Sequence, residues 1–261
     1  KLRKYFNFHF ISNDLVFLPL PMDKALVIIP TYNEVENIKS VVEKTLKNKT
    51  FDILVVDDSS PDGTAHLVLE LMETYSDRLF LEQRALKEGL GKAYIHGFRW
   101  ALEKQYDFIF EMDADLSHDP KELSPMLAYL KSDYDLVIGS RYVDGINVVN
   151  WPLSRILLSY FASMYVRWIT FMPIKDPTAG FVGYTREVLE QLNFKKIKFV
   201  GYAFQIEMKF KIWSKGYKFK EHPIVFTNRV MGVSKMNGRI IWEALSAVLI
   251  LRIKSLFKQT Q

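Results

Sequence analysis

From residue 25 onward the apolar positions alternate between two patterns, short unbroken runs and longer stretches whose apolar residues recur three or four apart. The runs at 25–30, 53–57, 79–82, 108–112 and 136–139 predict buried strands. The periodic stretches predict helices to about residue 47, from the turn at 59–63 to about 75, and over 91–104 and 121–131. Asn33 followed by Glu36 predicts a capping box at the first helix, and Asp119-Pro120 suits the start of the fourth. Strands and helices in strict alternation predict an α/β fold, a doubly wound and mostly parallel sheet with helices on both faces. Ligands of such sheets bind at the carboxyl ends of the strands.

The C-terminal third is patterned differently. Over 151–168 the polar residues Arg155, Ser159, Ser163 and Arg167 recur every fourth position, and nearly all the rest are apolar. This predicts a helix with one thin polar stripe and a wide apolar face, suited to a membrane interface or to packing into the core or against a partner. A C-terminal helix over 240–258 carries Arg252, Lys254 and Lys258 near its end, which suits anionic lipid or simply the helix dipole. The apolar run 244–251 is well short of the roughly 20 residues a bilayer requires, so no membrane span is expected. Residues 1–21 lack the small-residue cleavage site of a signal peptide and read as an N-terminal extension of unknown role. Residues 22–261, without repeat or linker, read as a single domain with membrane-facing amphipathic helices in its last third.

Composition narrows the chemistry. The 261 residues are 49% hydrophobic, enough for one large core, and contain no cysteine, which removes disulfides, thiolate zinc sites and cysteine nucleophiles. A net charge of +5 favours anionic partners but is modest for a nucleic-acid binder, and none is expected. Lysines dominate after Lys195 while carboxylates thin out, which suggests a metal site in the front half and an anion site behind it.

The carboxylates gather at predicted strand ends. Asp113 and Asp115 follow the fourth strand one residue apart, an arrangement that is unfavourable unless a cation or a set of donors occupies it. The hard-ion reading is magnesium or manganese with a nucleotide diphosphate; the plainer reading is a solvated turn with a helix cap. Glu34 follows the first strand and Asp57-Asp58 the second. No glycine lies between Leu26 and Ile38, so the dinucleotide-binding fingerprint is absent, as is a phosphate-binding P-loop. His96 and His118 read as polar or capping contacts and not as catalytic bases.

The segments Pro30-Thr31-Tyr32-Asn33-Glu34, Val56-Asp57-Asp58-Ser59-Ser60-Pro61-Asp62-Gly63-Thr64, Gly89-Leu90-Gly91-Lys92-Ala93-Tyr94, Met112-Asp113-Ala114-Asp115-Leu116-Ser117-His118 and Gly139-Ser140-Arg141-Tyr142 together resemble the dolichol-phosphate mannose synthases. These are inverting family 2 glycosyltransferases of GT-A fold. The resemblance continues through residues 201–207 and 229–235 and spans nearly everything from Met22 to the C-terminus. It implies transfer of mannose from GDP-mannose to a polyprenyl or dolichyl monophosphate with a divalent metal, Mg or Mn. It also implies a peripheral protein on the cytoplasmic side of a membrane, with room for a small membrane-protein partner.

Carried over by position, the resemblance gives Pro30, Tyr32, Glu34, Val56 and Asp58 to the base and ribose, and Asp113, Ala114 and Asp115 to the sugar-diphosphate end. It gives Asp113, Asp115 and Ser117 to the metal, although some members have Gln where Ser117 stands. Arg141, Arg229 and Lys235 match phosphate-binding positions, and Asp115 and Arg141 would act at the reacting centre. Two alternatives keep the same motifs: transfer of glucose or N-acetylglucosamine from a UDP-sugar, and a non-catalytic subunit that binds nucleotide-sugar or lipid.

Overall fold

The computed structural model describes residues 24–201, 203–228 and 238–258, with side chains in the last stretch from Leu245 to Ser255. The predicted strands form as β1 (Ala25–Thr31), β2 (Phe51–Asp57), β3 (Leu79–Gln83), β4 (Phe108–Glu111) and β5 (Leu136–Ser140). Between them lie α1 (Val35–Leu46), α2 (Thr64–Thr74), α3 (Leu90–Glu103) and α4 (Leu123–Ser132). The chain then adds β6 (Val148–Val149), α5 (Leu153–Thr170), β7 (Val182–Thr185), α6 (Arg186–Glu190), α7 (Ala203–Ser214), β8 (Phe219–Pro223), β9 (Phe226–Thr227) and α8 (Gly238–Lys258).

Strand side chains alternate between faces, and both faces of this sheet are covered. Leu26, Ile28, Leu54, Val56 and Ile109 join a core with residues of α3, α6, α7 and α8. Ala25, Val27, Ile29, Ile53, Val55 and Phe110 join the opposite core with residues of α1 and α4. This explains the unbroken apolar runs: each fully buried aliphatic side chain contributes about 1.5–3 kcal/mol relative to exposure, and every second residue finds a core on its own side.

The seven-stranded sheet has the order β3-β2-β1-β4-β7-β5-β8. The β1 strand pairs in parallel with both β2 and β4, so the crossover direction reverses beside it and opens a crevice at the carboxyl ends. The sheet is mixed because β7 runs antiparallel to β4 and to β5. Gly183 permits that insertion, since a Cβ there would stand 2.5 Å from Phe110 Cε1.

The expected capping box is replaced by a longer-range cap. Asn33 has φ 59°, α1 starts two residues later, and the Val35 N–H donates to Asp62 Oδ2 at 3.0 Å. Asp62 therefore caps α1 from the loop after β2. The fourth helix begins as expected, with Asp119 accepting from the Lys121 N–H at 3.0 Å.

The α5 helix turns three of its four stripe residues inward, while Arg167 is exposed. Ser163 is buried, and Arg155 and Ser159 line the crevice. Part of its apolar surface points outward, with Leu157, Phe161 (58% exposed) and Trp168 (74% exposed) on the surface, joined by Ile250 and Ile253 of α8, while Val166 joins the core and Ala162 and Tyr165 line the cavity. The two helices pack together, and Tyr165 OH donates to the Leu245 carbonyl at 3.2 Å. Among the described residues no helix is long and apolar enough to cross a membrane.

Candidate active site

Three loops at the carboxyl edge of the sheet each contain a non-glycine residue in the left-handed region: Asn33 (φ 59°), Ser59 (φ 54°) and Leu116 (φ 59°). Such residues are uncommon and gather where a loop must aim a side chain. The loops after β1, β2 and β4, with the end of β5, form one wall of a cavity of about 510 Å³. Residues of α5, α7 and α8 form the other.

At one end of the cavity lie Pro30, Tyr32, Glu34, Asp58 and Lys87. Asp57 builds this end without facing it: fully buried, it accepts from Thr31 Oγ1 at 2.8 Å and from Ser60 N at 2.9 Å. Its neighbour Asp58 is held by a guanidinium fork, with Arg84 Nε and Nη2 donating to its two oxygens at 2.6 and 2.8 Å. Two parallel charge-assisted bonds fix the plane of that carboxylate. The Lys87 ammonium lies 3.5 Å from the Tyr32 ring centroid. Glu34 accepts from Asn37 Nδ2 at 3.0 Å.

Asp113, Ala114 and Asp115 line the middle of the cavity. The left-handed turn at Leu116 brings the chain back so that Ser117 N and Oγ donate to Asp115 Oδ1 at 3.1 and 2.5 Å. His118 Nδ1 accepts from the Asp113 N–H at 3.3 Å, and its ring stacks on Phe181 at 4.9 Å. Burial lowers the His118 pKa, with the Arg141 charge acting in the same direction, so the ring is neutral at neutral pH. Among the described residues no group of three or more acidic or histidine side chains is arranged around a metal position. The two cavity-facing carboxylates nevertheless fit a small hard cation, which commonly takes one or two protein carboxylates and fills its other positions with phosphate oxygens and water.

The far end of the cavity is cationic and aromatic. Arg141 donates from Nε and Nη2 to the two oxygens of the fully buried Asp176, both at 2.7 Å, and from Nη2 to Thr178 Oγ1 at 2.8 Å. Tyr142, Trp151 and Phe226 surround its guanidinium at 5.2–5.7 Å. Arg155 lies over Trp151 at 3.9 Å and donates to Asn228 Oδ1 at 2.9 Å. Burial raises the Asp176 pKa, but the charge and hydrogen bonds of Arg141 outweigh it and hold the carboxyl below 3.8.

Beneath the cavity floor is a buried polar chain. Tyr184 OH donates to Glu111 Oε1 at 3.2 Å, and Gln205 Nε2 donates to Glu111 Oε2. Lys209 Nζ donates to Gln205 Oε1 at 3.0 Å and to the Ala179 carbonyl at 2.7 Å. Burial raises Glu111 to about 7 and lowers Lys209 to about 8, each partly offset by the charge of the other.

Most of the predicted site residues thus share one cavity: Pro30, Tyr32, Glu34, Asp58, Asp113, Ala114, Asp115 and Arg141 all line it. Val56 does not. It is fully buried in β2, paired with Pro30, where it supports the end of the cavity that Pro30 and Asp58 line. Ser117 sits behind Asp115 with its hydroxyl engaged there. His96 pairs with Glu82 at 2.9 Å, and neither residue lines the cavity. Arg229 and Lys235 lie outside the described residues, as does the 1–21 extension. Sequence reasoning missed Arg84, Lys87, Asp176, Thr178 and Lys209 and treated Arg155 only as part of a stripe. Asp176-Pro177-Thr178-Ala179-Gly180 carried a loop signal, but nothing local ties Arg84 to Asp58.

The sequence profile of the glycosyl transferase family 2 matches residues 26–192. The polyprenol monophosphomannose synthase of Mycolicibacterium smegmatis is 46% identical over 87% of this chain and 86% of its own length. The undecaprenyl-phosphate mannosyltransferase of Micrococcus luteus is 42% identical over 85% of this chain and 91% of its own length. Among solved structures, a mannosyltransferase from Pyrobaculum calidifontis in complex with GDP-Man and Mn2+ superposes with a TM-score of 0.56 at 18% identity, covering 91% of this chain and 75% of that one. That likeness carries the GT-A fold.

Proposed function

The chain belongs to the glycosyl transferase family 2, and from that premise we propose that it transfers mannose from GDP-mannose to a polyprenyl or dolichyl monophosphate, with inversion, releasing GDP. The observation that carries this reading is the division of one cavity into a carboxylate end and a guanidinium end. The names of the two bacterial relatives support mannose as the sugar and a polyprenyl phosphate as the acceptor. We further propose that residues 22–261 act as one catalytic domain.

Pro30, Tyr32, Glu34 and Asp58 hold the base and ribose, with Arg84 keeping the Asp58 carboxylate in a fixed plane. Asp113, Ala114 and Asp115 receive the sugar and diphosphate. A magnesium or manganese ion, when bound by Asp113 and Asp115, neutralises diphosphate charge. Arg141 and Arg155 receive the acceptor phosphate, joined by Arg229 and Lys235. The acceptor oxygen is already an anion at neutral pH, so no side chain has to remove a proton. That oxygen bonds to the anomeric carbon while the bond from this carbon to the diphosphate oxygen breaks, and the electron pair leaves with GDP. The protein's contribution is alignment and charge stabilisation. His118 holds the Asp113 loop and moves no proton. The outward apolar face of α5 and α8 docks on the cytoplasmic surface of a membrane, where the acceptor resides.

A panel of radiolabelled GDP-mannose, UDP-glucose and UDP-N-acetylglucosamine, each offered with a polyprenyl phosphate, tests the reading. The expected result is label in the lipid from GDP-mannose alone, with the signal lost on chelation and restored by Mg or Mn. Transfer from a UDP-sugar would reassign the donor, and no transfer from any donor would leave a binding subunit.

A further inference from the structure

Lys209 is fully buried, and its three ammonium protons are matched by three acceptors: the Ala179 carbonyl at 2.7 Å, Gln205 Oε1 at 3.0 Å and the Gln205 carbonyl at 3.4 Å. Stability alone does not explain such an ammonium, because an apolar side chain of similar volume in place of a buried charge pair is often neutral or stabilising. Its location does. The Ala179 carbonyl belongs to the strap Asp176–Gly180, which crosses the cavity from the cationic end to the carboxylates. Asp176 and Thr178 bond Arg141, and at the other end a Cβ on Gly180 would lie 3.8 and 3.9 Å from the Asp113 carboxylate oxygens. Glu221 ties down the start of the strap by accepting from Lys175 N at 2.7 Å and Asp176 N at 2.9 Å. Lys209 ties down its end.

We propose that Lys209 is a positioning residue: from beneath the floor it fixes the strap that sets Arg141 and Asp113 relative to each other, and so aligns acceptor phosphate with donor sugar. The inference rests on the transfer reading for its effect on rate, but the restraint on the strap is measurable without turnover. Glu111 completes the arrangement through Gln205, so that the ammonium faces a carboxyl group two residues before Asp113. A strap fixed at both ends contributes to alignment and not to the affinity for either substrate alone. A misplacement of about 1 Å in such an arrangement lowers rate by about 10²-fold.

The test replaces both buried partners, Glu111→Gln with Lys209→Met, so that no single charge is left buried. Glu111→Gln with Lys209→Gln is the second variant and keeps an amide donor toward Ala179. For the methionine variant the expected results are a native circular dichroism spectrum, hydrogen exchange at least about tenfold faster at residues 176–180, kcat lower by about 10²-fold, and KM for GDP-mannose and calorimetric GDP affinity changed by less than about threefold. The glutamine variant should fall between it and wild type. Wild-type exchange in the strap, or faster exchange with unchanged kcat, would overturn the proposal. Unfolding of both variants would also overturn it, since Lys209 would then be a folding residue. If wild-type protein transfers no sugar, the function reading fails on its own and strap exchange alone decides whether Lys209 restrains it.

Discussion

Burial pushes the Asp176 pKa up, and the charge and hydrogen bonds of Arg141 more than offset that. The folded carboxyl is held below 3.8 while the unfolded one titrates near that value, so the pair's contribution to stability is fully present above about pH 3.8 and is lost as pH falls through the lower folded value. Asp176→Asn leaves Arg141 buried beside a neutral amide and should destabilise the fold by about 3–5 kcal/mol. Urea midpoints for wild type and variant should therefore differ by the same amount at about pH 7 and about pH 5, and the gap should begin to narrow only as pH falls below about 3.8. A gap that closes by pH 5 would mean that Arg141 does not hold the carboxyl down. This pair was not legible in the sequence because its partners are 35 residues apart, as Asp58 and Arg84 are 26 apart. Asp113 and Asp115 were legible because two like charges at a strand end carry their own physical demand.

At the scale of elements, strands buried on both faces announce themselves as unbroken apolar runs, and β1, β2, β4 and β5 were readable for that reason. The four-residue β7 was not, because its pairing depends on Gly183 fitting under Phe110. The α7 helix was obscured by burying Gln205, Glu207 and Lys209 among its apolar residues. The α5 pattern was readable, and the structure adds its direction. Replacing Leu157, Phe161 and Trp168 together by Ser, Gln and Gln should lower cosedimentation with anionic vesicles by about 10²-fold, taking roughly 1 kcal/mol for each partly inserted side chain. Because all three are exposed, the melting temperature should move by only a few degrees, about what surface substitutions produce, and transfer to a short-chain soluble acceptor should persist. Unfolding of the variant, with wild type failing to bind vesicles, would make this face part of the core and overturn the interface reading.

At the scale of the whole molecule, the carboxylates Glu34, Asp58, Asp113 and Asp115 of the front half and Arg141 and Arg155 of the back half line one cavity, while the described lysines after Lys195 do not line it. Asn228, which lines the cavity and bonds Arg155, directly precedes Arg229. Arg229→Ala and Lys235→Ala should therefore lower the apparent affinity for the lipid phosphate, or the chemical step, by about 10²-fold while GDP binding changes little. Asp58→Ala should do the reverse and weaken GDP binding by about tenfold or more, the loss of a charge-assisted contact. Calorimetry with GDP, set beside acceptor kinetics on the same variants, separates the two ends. Equal loss of nucleotide binding in all three variants would assign Arg229 and Lys235 to the donor.

The α5 helix has one side in the cavity and the other on the outside of the molecule, so the wall between them is one helix thick, about 10 Å. With the outer side against a bilayer, an acceptor phosphate reaching Arg141 and Arg155 rises only that far, and most of its chain stays in hydrocarbon. Each methylene lifted into water would add about 0.8 kcal/mol to the barrier, so a thin wall keeps this lift small. The two products then separate by phase: the nucleotide diffuses away through water in three dimensions, while the mannosylated lipid slides sideways and spreads in two.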